Sequence, residues 1–354
     1  MKRLFSIIII LLLSSCANKQ LDQRYFQFNY EVSIDPTDGK KMELWIPVPQ
    51  SNKVQAISNL SYDLDGLDYE LKTEPDHKNK YLYIYSKDGI SEVKNIKLSC
   101  NVLRKEHENV KYENITNDKY LKASRMVPTG DVFKDIISEN NLNNKNMKNV
   151  YEYVLNGMHY GKPTDDKNSK NYKYIHGGKN PKTGKEWLPN NITYGRNNNT
   201  KDELVKSQNK NKKYAYGNGN SLYACDIGVG NCTDYHSYFI SLSRTLNVPA
   251  RFHMGFPIPS GEEGKVGGYH CWADYYVDGK GWFPVDISEA DKDPGRAKYY
   301  FGTLCSDRVD FMVGRDFKID NYEEESVNLF IYPLFEVNDQ ISKGYSKKFS
   351  YKNL

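Results

Sequence analysis

GNCTDYHSYFISLSRTLNVPARFHMGFP, residues 230–257, is the stretch around which the chain is organised. Asn231 is a helix-capping residue type, and Tyr235, Phe239, Leu242 and Leu246 then recur at spacings of 4, 3 and 4. This pattern predicts a helix from Cys232 to about Leu246 with one buried stripe. Asn247 ends it, and Pro249 forbids its continuation. Cys232 thus falls in the first turn, where the helix dipole and free backbone N–H groups favour a thiolate.

Downstream, Ala250 to Phe256, Gly267 to Val277 and Gly281 to Ile287 read as strands, the last two joined by a hairpin at Asp278-Gly279. Alternation places His270, Trp272, Asp274 and Tyr276 on one face, and Trp282, Pro284 and Asp286 on a face of the next strand. His270 and Asp286 can therefore meet. If that face looks toward the start of the Cys232 helix, the three form a nucleophile, base and orienter. His270 would take the thiol proton, Asp286 would hold the other ring nitrogen, and the Cys232 N–H would face the oxyanion.

Other residues invite weaker readings. His236 lies one turn after Cys232 on the same helix and cannot easily approach the thiol as a base, so a packing or supporting role is expected. His253 reads as structural, and Trp272 and Trp282 as core or cleft walls. Cys225, Cys232, His270 and Cys271 do not have the spacing of a familiar zinc site. Asp286 to Asp293 is acidic but lacks the spacing of a calcium loop. No metal or other cofactor is expected.

Four segments, Gly230-Asn231-Cys232, Val248-Pro249-Ala250-Arg251, Tyr269-His270-Cys271-Trp272-Ala273 and Gly281-Trp282-Phe283-Pro284-Val285-Asp286, together resemble the transglutaminase-like superfamily in its bacterial branch. The resemblance spans about residues 130–315. It implies an α+β, papain-like core with the cysteine-bearing helix packed on an antiparallel sheet, preceded by a β-sandwich domain. It also implies that Cys232, His270 and Asp286 are the catalytic triad. Members often supply a second oxyanion donor from upstream of the cysteine; Tyr216 and Trp187 are the candidates here. Both hydrolysis and cross-linking pass through a thioester, and the attacking water or amine decides between them.

Toward the N-terminus, Lys2-Arg3, the apolar run Leu4 to Leu13 and Leu13-Ser14-Ser15-Cys16 resemble a bacterial lipoprotein signal. The run is too short to span a bilayer as a stable helix. The resemblance implies cleavage before Cys16, acylation of that residue and export to the cell envelope, membrane-anchored and facing the periplasm or exterior. Residues 17–24 read as a tether. Period-2 segments from Tyr25 to about Val110, separated by turns such as Asp65-Gly66, predict a β-sandwich over 25–115. Helical periodicity begins at Asp131, read as an N-cap, and returns over Met147 to Met158. The enzyme-like domain is accordingly expected over 125–354. Export permits disulfides, but Cys100, Cys225, Cys271 and Cys305 form no framework.

Residues 161–222 carry 13 Lys/Arg against 5 Asp/Glu, a local charge of +8, with six interleaved aromatics. This polar insertion could cover the site, grip an anionic polymer or simply be solvated. The whole chain of 354 residues has a formal charge of +4, which gives no case for nucleic acid. The expected activity is an envelope-anchored cysteine acyl-transfer enzyme acting on peptide or protein amides, with hydrolysis favoured over cross-linking. The other reading is a silent module of the same fold that binds envelope polymers.

Overall fold

The computed structural model describes residues 22–111, 117–170, 172–175, 177–181, 183–207 and 213–354. Cys16, the apolar run before it and residues 17–21 of the expected tether lie outside them. The tether reading is too long at its far end, because the first strand already begins at Gln23.

Six strands open the chain: β1 (Gln23–Ile34), β2 (Met42–Val48), β3 (Gln55–Asp63), β4 (Asp68–Thr73), β5 (Lys80–Ser86) and β6 (Lys94–Lys105). Alternation in β1 buries Phe26, Phe28, Tyr30, Val32 and Ile34. Four strands lie at the other end: β13 (Arg308–Val313), β14 (Leu334–Val337), β15 (Gln340–Ile341) and β16 (Tyr345–Asn353). Between them run α1 (Val132–Glu139), α2 (Met147–Gly157), β7 (His159–Tyr160), the single turns α3 (Tyr172–Ile175) and α4 (Glu203–Lys206), α5 (Ser221–Ile227), β8 (Val229–Gly230) and α6 (Cys232–Thr245). Then come β9 (Ala250–Pro257), β10 (Glu263–Val266), β11 (His270–Val277), β12 (Gly281–Val285) and α7 (Ile287–Lys292).

The architecture is α+β, with helices gathered against a four-stranded antiparallel sheet of order β12-β11-β9-β13. Two five-stranded sheets, β10-β16-β1-β6-β3 and β15-β14-β2-β5-β4, form the β portion. This corrects the expected split at residues 115–125. The two sheets are not closed by residues 25–115, because β16 covers the edge of β1 with Phe28 opposite Tyr351, and β14 covers β2 with Leu44 opposite Phe335. An uncovered edge presents unpaired N–H and C=O groups, which these C-terminal strands satisfy. One apolar core runs through both portions.

Smaller departures have local causes. Asp131 precedes α1 at φ 37° and its side chain makes no cap hydrogen bond. Beyond α7 the chain makes a 3-10 turn at Pro294–Arg296, and Phe301 forms a β-bridge with Val285. More consequential is α6. It is buried on all sides from Cys232 to Ser243, rather than along one stripe. Its hydroxyls make this tolerable: Ser237 Oγ donates to Thr233 O (2.7 Å), Ser241 Oγ to Ser221 Oγ (2.7 Å) and Ser243 Oγ to Phe239 O (2.8 Å).

The basic insertion is not simply solvated chain. Its Leu188, Tyr194 and Leu204 pack with Tyr223, Ile227 and Val229 into a second small core against α5. The approach is close enough that a Cβ on Gly228 would sit 2.4 Å from the Gly195 nitrogen. Among the described residues, no helix is long and apolar enough to cross a membrane.

Candidate active site

The site begins at the cap of α6. Asn231 Oδ1 accepts from Thr233 N (2.9 Å), and Asp234 Oδ2 reaches back to Asn231 N (3.0 Å), forming a capping box. Asp234 also accepts from Gly217 N (2.9 Å) and Gly219 N (3.0 Å), so it ties the end of the insertion to the helix start. Burial holds its carboxyl up at about 7 despite these donors. The cap takes the N–H groups of Asn231 and Thr233, and among the described residues none accepts from the Cys232 N–H beside the thiol.

His270, the first residue of β11, meets that thiol. Its Nε2 lies 2.8 Å from Asp286 Oδ2, so Nδ1 is the nitrogen facing the hydrogen-bonded Cys232. Asp286 follows β12 and caps α7, its Oδ1 accepting from Glu289 N and Ser288 Oγ, each at 3.2 Å. Arg308 of β13 adds a fourth donor, Nη1 to Asp286 Oδ2 at 3.1 Å. Burial alone would push His270 down, but ionised Asp286 and the thiolate hold it at about 10. Burial would raise Asp286; His270 and Arg308 keep it well below the usual carboxylate range. The Cys232 thiol is drawn well below its ordinary value by a hydrogen bond from Cys271 and by His270, against the opposing effect of burial. The arrangement is a thiolate–imidazolium pair held by a carboxylate.

Proximity of the three residues arises differently from the sequence expectation. The face of the sheet carrying Trp272 and Asp274 turns away from α6. Asp274 pairs with Arg251, and Trp272 stacks on His253 at 5.8 Å. The helix packs on the opposite face, where Cys271 Sγ lies 3.5 Å from Thr233 Oγ1 and Tyr275 meets Phe239 at 6.0 Å. His270 reaches Cys232 because it stands at the strand end, where the chain enters beside the helix N-terminus. His270 lies beside Trp272, as alternation predicts, with ring centres 6.2 Å apart, while α6 covers the Cys271 and Tyr275 face.

Of the upstream oxyanion candidates, Tyr216 hydrogen-bonds the Asn231 side chain within electrostatic reach of Cys232. Trp187 instead packs on Tyr174 at 5.2 Å and Tyr160 at 6.3 Å, in the wall of an adjoining cavity. Cys225 sits on α5 with its Sγ toward Leu222 O (3.3 Å), and the described cysteines are all free thiols. Of the four residues weighed as a zinc set, Cys232, His270 and Cys271 are hydrogen-bonded neighbours while Cys225 faces Leu222 O; the described grouping of possible ligand atoms is Glu43, Glu336 and Asp339.

His236 is a strut. Its Nε2 accepts from Ile287 N (3.0 Å), which leaves Nδ1–H to donate to Cys232 O (2.7 Å). Burial lowers its pKa to about 4, so it stays neutral and ties the nucleophile turn to α7. Arg308 and Cys271 escaped the sequence reading as site residues. Arg308 lies outside the recognisable segments, and only its register opposite Pro257 brings it in. Cys271 was visible beside His270, yet its contact with Cys232 depends on which face α6 covers.

The shifts have a testable sign. His270 is protonated below about pH 10 and loses its proton as pH rises through it, while Cys232 remains a thiolate on both sides. Acyl transfer needs the imidazolium to protonate the leaving amine. Parallel pH profiles should therefore show transfer falling through about pH 10 while alkylation of Cys232 persists.

Comparison with known proteins bears on the same residues. The model of the transglutaminase-like superfamily matches residues 179–287, which include Cys232, His270 and Asp286. The chain is 24% identical to an uncharacterized protein of Haemophilus influenzae over 99% of this chain and 98% of that one. A solved structure from Cytophaga hutchinsonii, described as that of a candidate cysteine protease, superposes on 94% of this chain and 100% of its own. Its TM-score is 0.48 and its identity 12%. Residues 179–287 thus match a transglutaminase-like domain, and that segment holds the assembled cysteine site.

Proposed function

We propose that the protein is an exported, membrane-anchored cysteine amidase or peptidase that acts on envelope peptides or proteins through a thioester. The observation that carries the reading is the chain of contacts from Cys232 to His270 Nδ1 and from His270 Nε2 to Asp286 at 2.8 Å. Envelope exposure is supported by the lipoprotein-like segment ending at Cys16.

The steps follow from the geometry. The Cys232 thiolate adds to the amide carbonyl, forming a C–S bond, and the oxyanion is met by the Cys232 N–H, with Tyr216 as candidate second donor. His270 Nδ1–H passes its proton to the departing amine as the C–N bond breaks. Water then attacks the thioester, His270 takes its proton, and the carboxylic acid leaves with regeneration of the thiolate. Asp286 keeps the ring oriented throughout. Hydrolysis is favoured because water is the abundant nucleophile outside a cell. The base and carboxylate gathered on the thiol support the catalytic reading over the silent module.

Trapping tests the proposal directly. Incubation with envelope peptide amides, followed by intact mass measurement, should show an acyl adduct on Cys232 that decays to free enzyme. Added primary amine should divert only a minor share of product to the transamidated mass. Dominant amine capture would make cross-linking the activity; no adduct and no turnover would favour the silent module.

A further inference from the structure

We propose that the cavity beside Cys232 is a subsite for an anionic acyl donor: a peptide amide with a carboxylate near the scissile carbonyl. The inference rests on the acyl-transfer reading and adds a substrate class to it. The cavity, of about 430 Å³, includes Tyr160, Lys173, Tyr174, Lys179, Trp187 and Lys292 in its lining. Chain connectivity puts it next to the reaction centre. Tyr160 is opposite Gly230 in the β7–β8 pair, two residues before Cys232. Lys292 ends α7, the helix that Asp286 caps, and is close enough to help draw the Cys232 thiol toward its charged form.

The lining has two kinds of surface. Three aromatic rings give an apolar wall: Trp187 against Tyr174 and Tyr160. Three lysines surround it. Lys292 Nζ lies 4.2 Å from the Tyr160 ring centre, and Lys173 Nζ lies 5.3 Å from that of Tyr174. Glu289 is the opposing carboxylate, 2.8 Å from Lys292 Nζ, so the lining keeps a positive excess. The lid side is held in place by Asn180 Nδ2, which donates to Lys292 O at 2.8 Å. Thus part of the +8 insertion forms a wall of the cavity, where its cations and rings face one ligand. A substrate with an apolar or planar body and a carboxylate matches both surfaces. A neutral amide uses only the rings.

Two alkylating probes of nearly equal size separate charge from chemistry. Iodoacetate and iodoacetamide should be reacted with the full chain at low ionic strength, and the ratio of their rates at Cys232 compared with the ratio for a free thiol. The ratio at Cys232 should be higher. Lys173 and Lys179 are exposed, so K173Q/K179Q tests their charge without opening the core. A unit charge at roughly 10 Å in water changes an anion's local concentration about twofold, so the double variant should lower the ratio about fourfold. Added salt should shrink the difference between the two proteins. An unchanged ratio in the double variant would overturn the subsite. His270→Ala tests the parent reading separately: equal rates for both probes with and without His270 would sink acyl transfer, whatever the lysines do.

Discussion

Replacing His270 with alanine should slow alkylation of Cys232 by iodoacetamide near pH 7 by about 30- to 100-fold. That range follows from thiolate fraction alone. Without the imidazolium, a thiol near its ordinary value of 8.5 to 9 is only ~1–3% ionised at neutral pH. Burial of Cys232 pushes toward a smaller fraction and the hydrogen bond from Cys271, which the variant keeps, pushes against it. Turnover should fall further, because a positioned acid–base group contributes typically 10²–10⁴-fold to proton transfer. The two readouts therefore separate nucleophile activation from protonation of the leaving group. The alkylation deficit should shrink as pH approaches 10, where wild-type His270 also loses its proton and both thiols become ionised. A deficit that stayed constant with pH would show that His270 matters for access or folding, not for the charge on sulfur.

The second large effect lies behind the sheet. Arg251 and Asp274 form a bidentate pair, Nε to Oδ1 at 2.9 Å and Nη2 to Oδ2, with side chains 4% and 0% exposed. Arg251 also stacks over Trp282 at 4.1 Å, and His253 approaches Asp274 at 3.2 Å. Arg251→Met keeps most of the side-chain volume but leaves Asp274 ionised without its main partner. Breaking a buried pair from one side costs about 3–5 kcal/mol, and chemical unfolding should show a loss of that order. The double variant R251M/D274L should recover much of it, since a buried pair exchanged whole for apolar groups is often neutral. If the single and double variants were equally destabilised, the loss would belong to the cation–ring stack and not to the stranded charge. The cysteine–histidine contact lies at the end of β11, four residues before Asp274, so activity per folded molecule should change less than stability.

These two variants also show how much the chain discloses before it folds. Cys232 at a helix start and His270 on a strand are legible, whereas Asp286, expected on a strand running to Ile287, instead caps α7 just past β12. Capping chemistry, period-2 alternation and tight turns are local rules, read within about ten residues. Arg251 belongs to a recognisable segment, Val248-Pro249-Ala250-Arg251, yet nothing local says that its partner is Asp274 on the neighbouring strand. Register supplies that, with Asp274 opposite Arg251.

What the sequence determined by itself is the inventory of the chemistry, a thiol, an imidazole and a carboxylate, together with the helix start that bears the thiol and the strand that bears the imidazole. Tertiary structure decided the rest. It chose the face of the sheet that α6 covers, and so made Cys271 and Thr233 neighbours of the site while turning Trp272 and Asp274 away. It brought Arg308 onto Asp286 and closed the N-terminal sheets with the last strands of the chain. The physical reason is common to these cases. Burying apolar surface and pairing strand edges depend on the whole chain. Residues far apart in sequence, such as Phe28 and Tyr351, carry no local signal of each other.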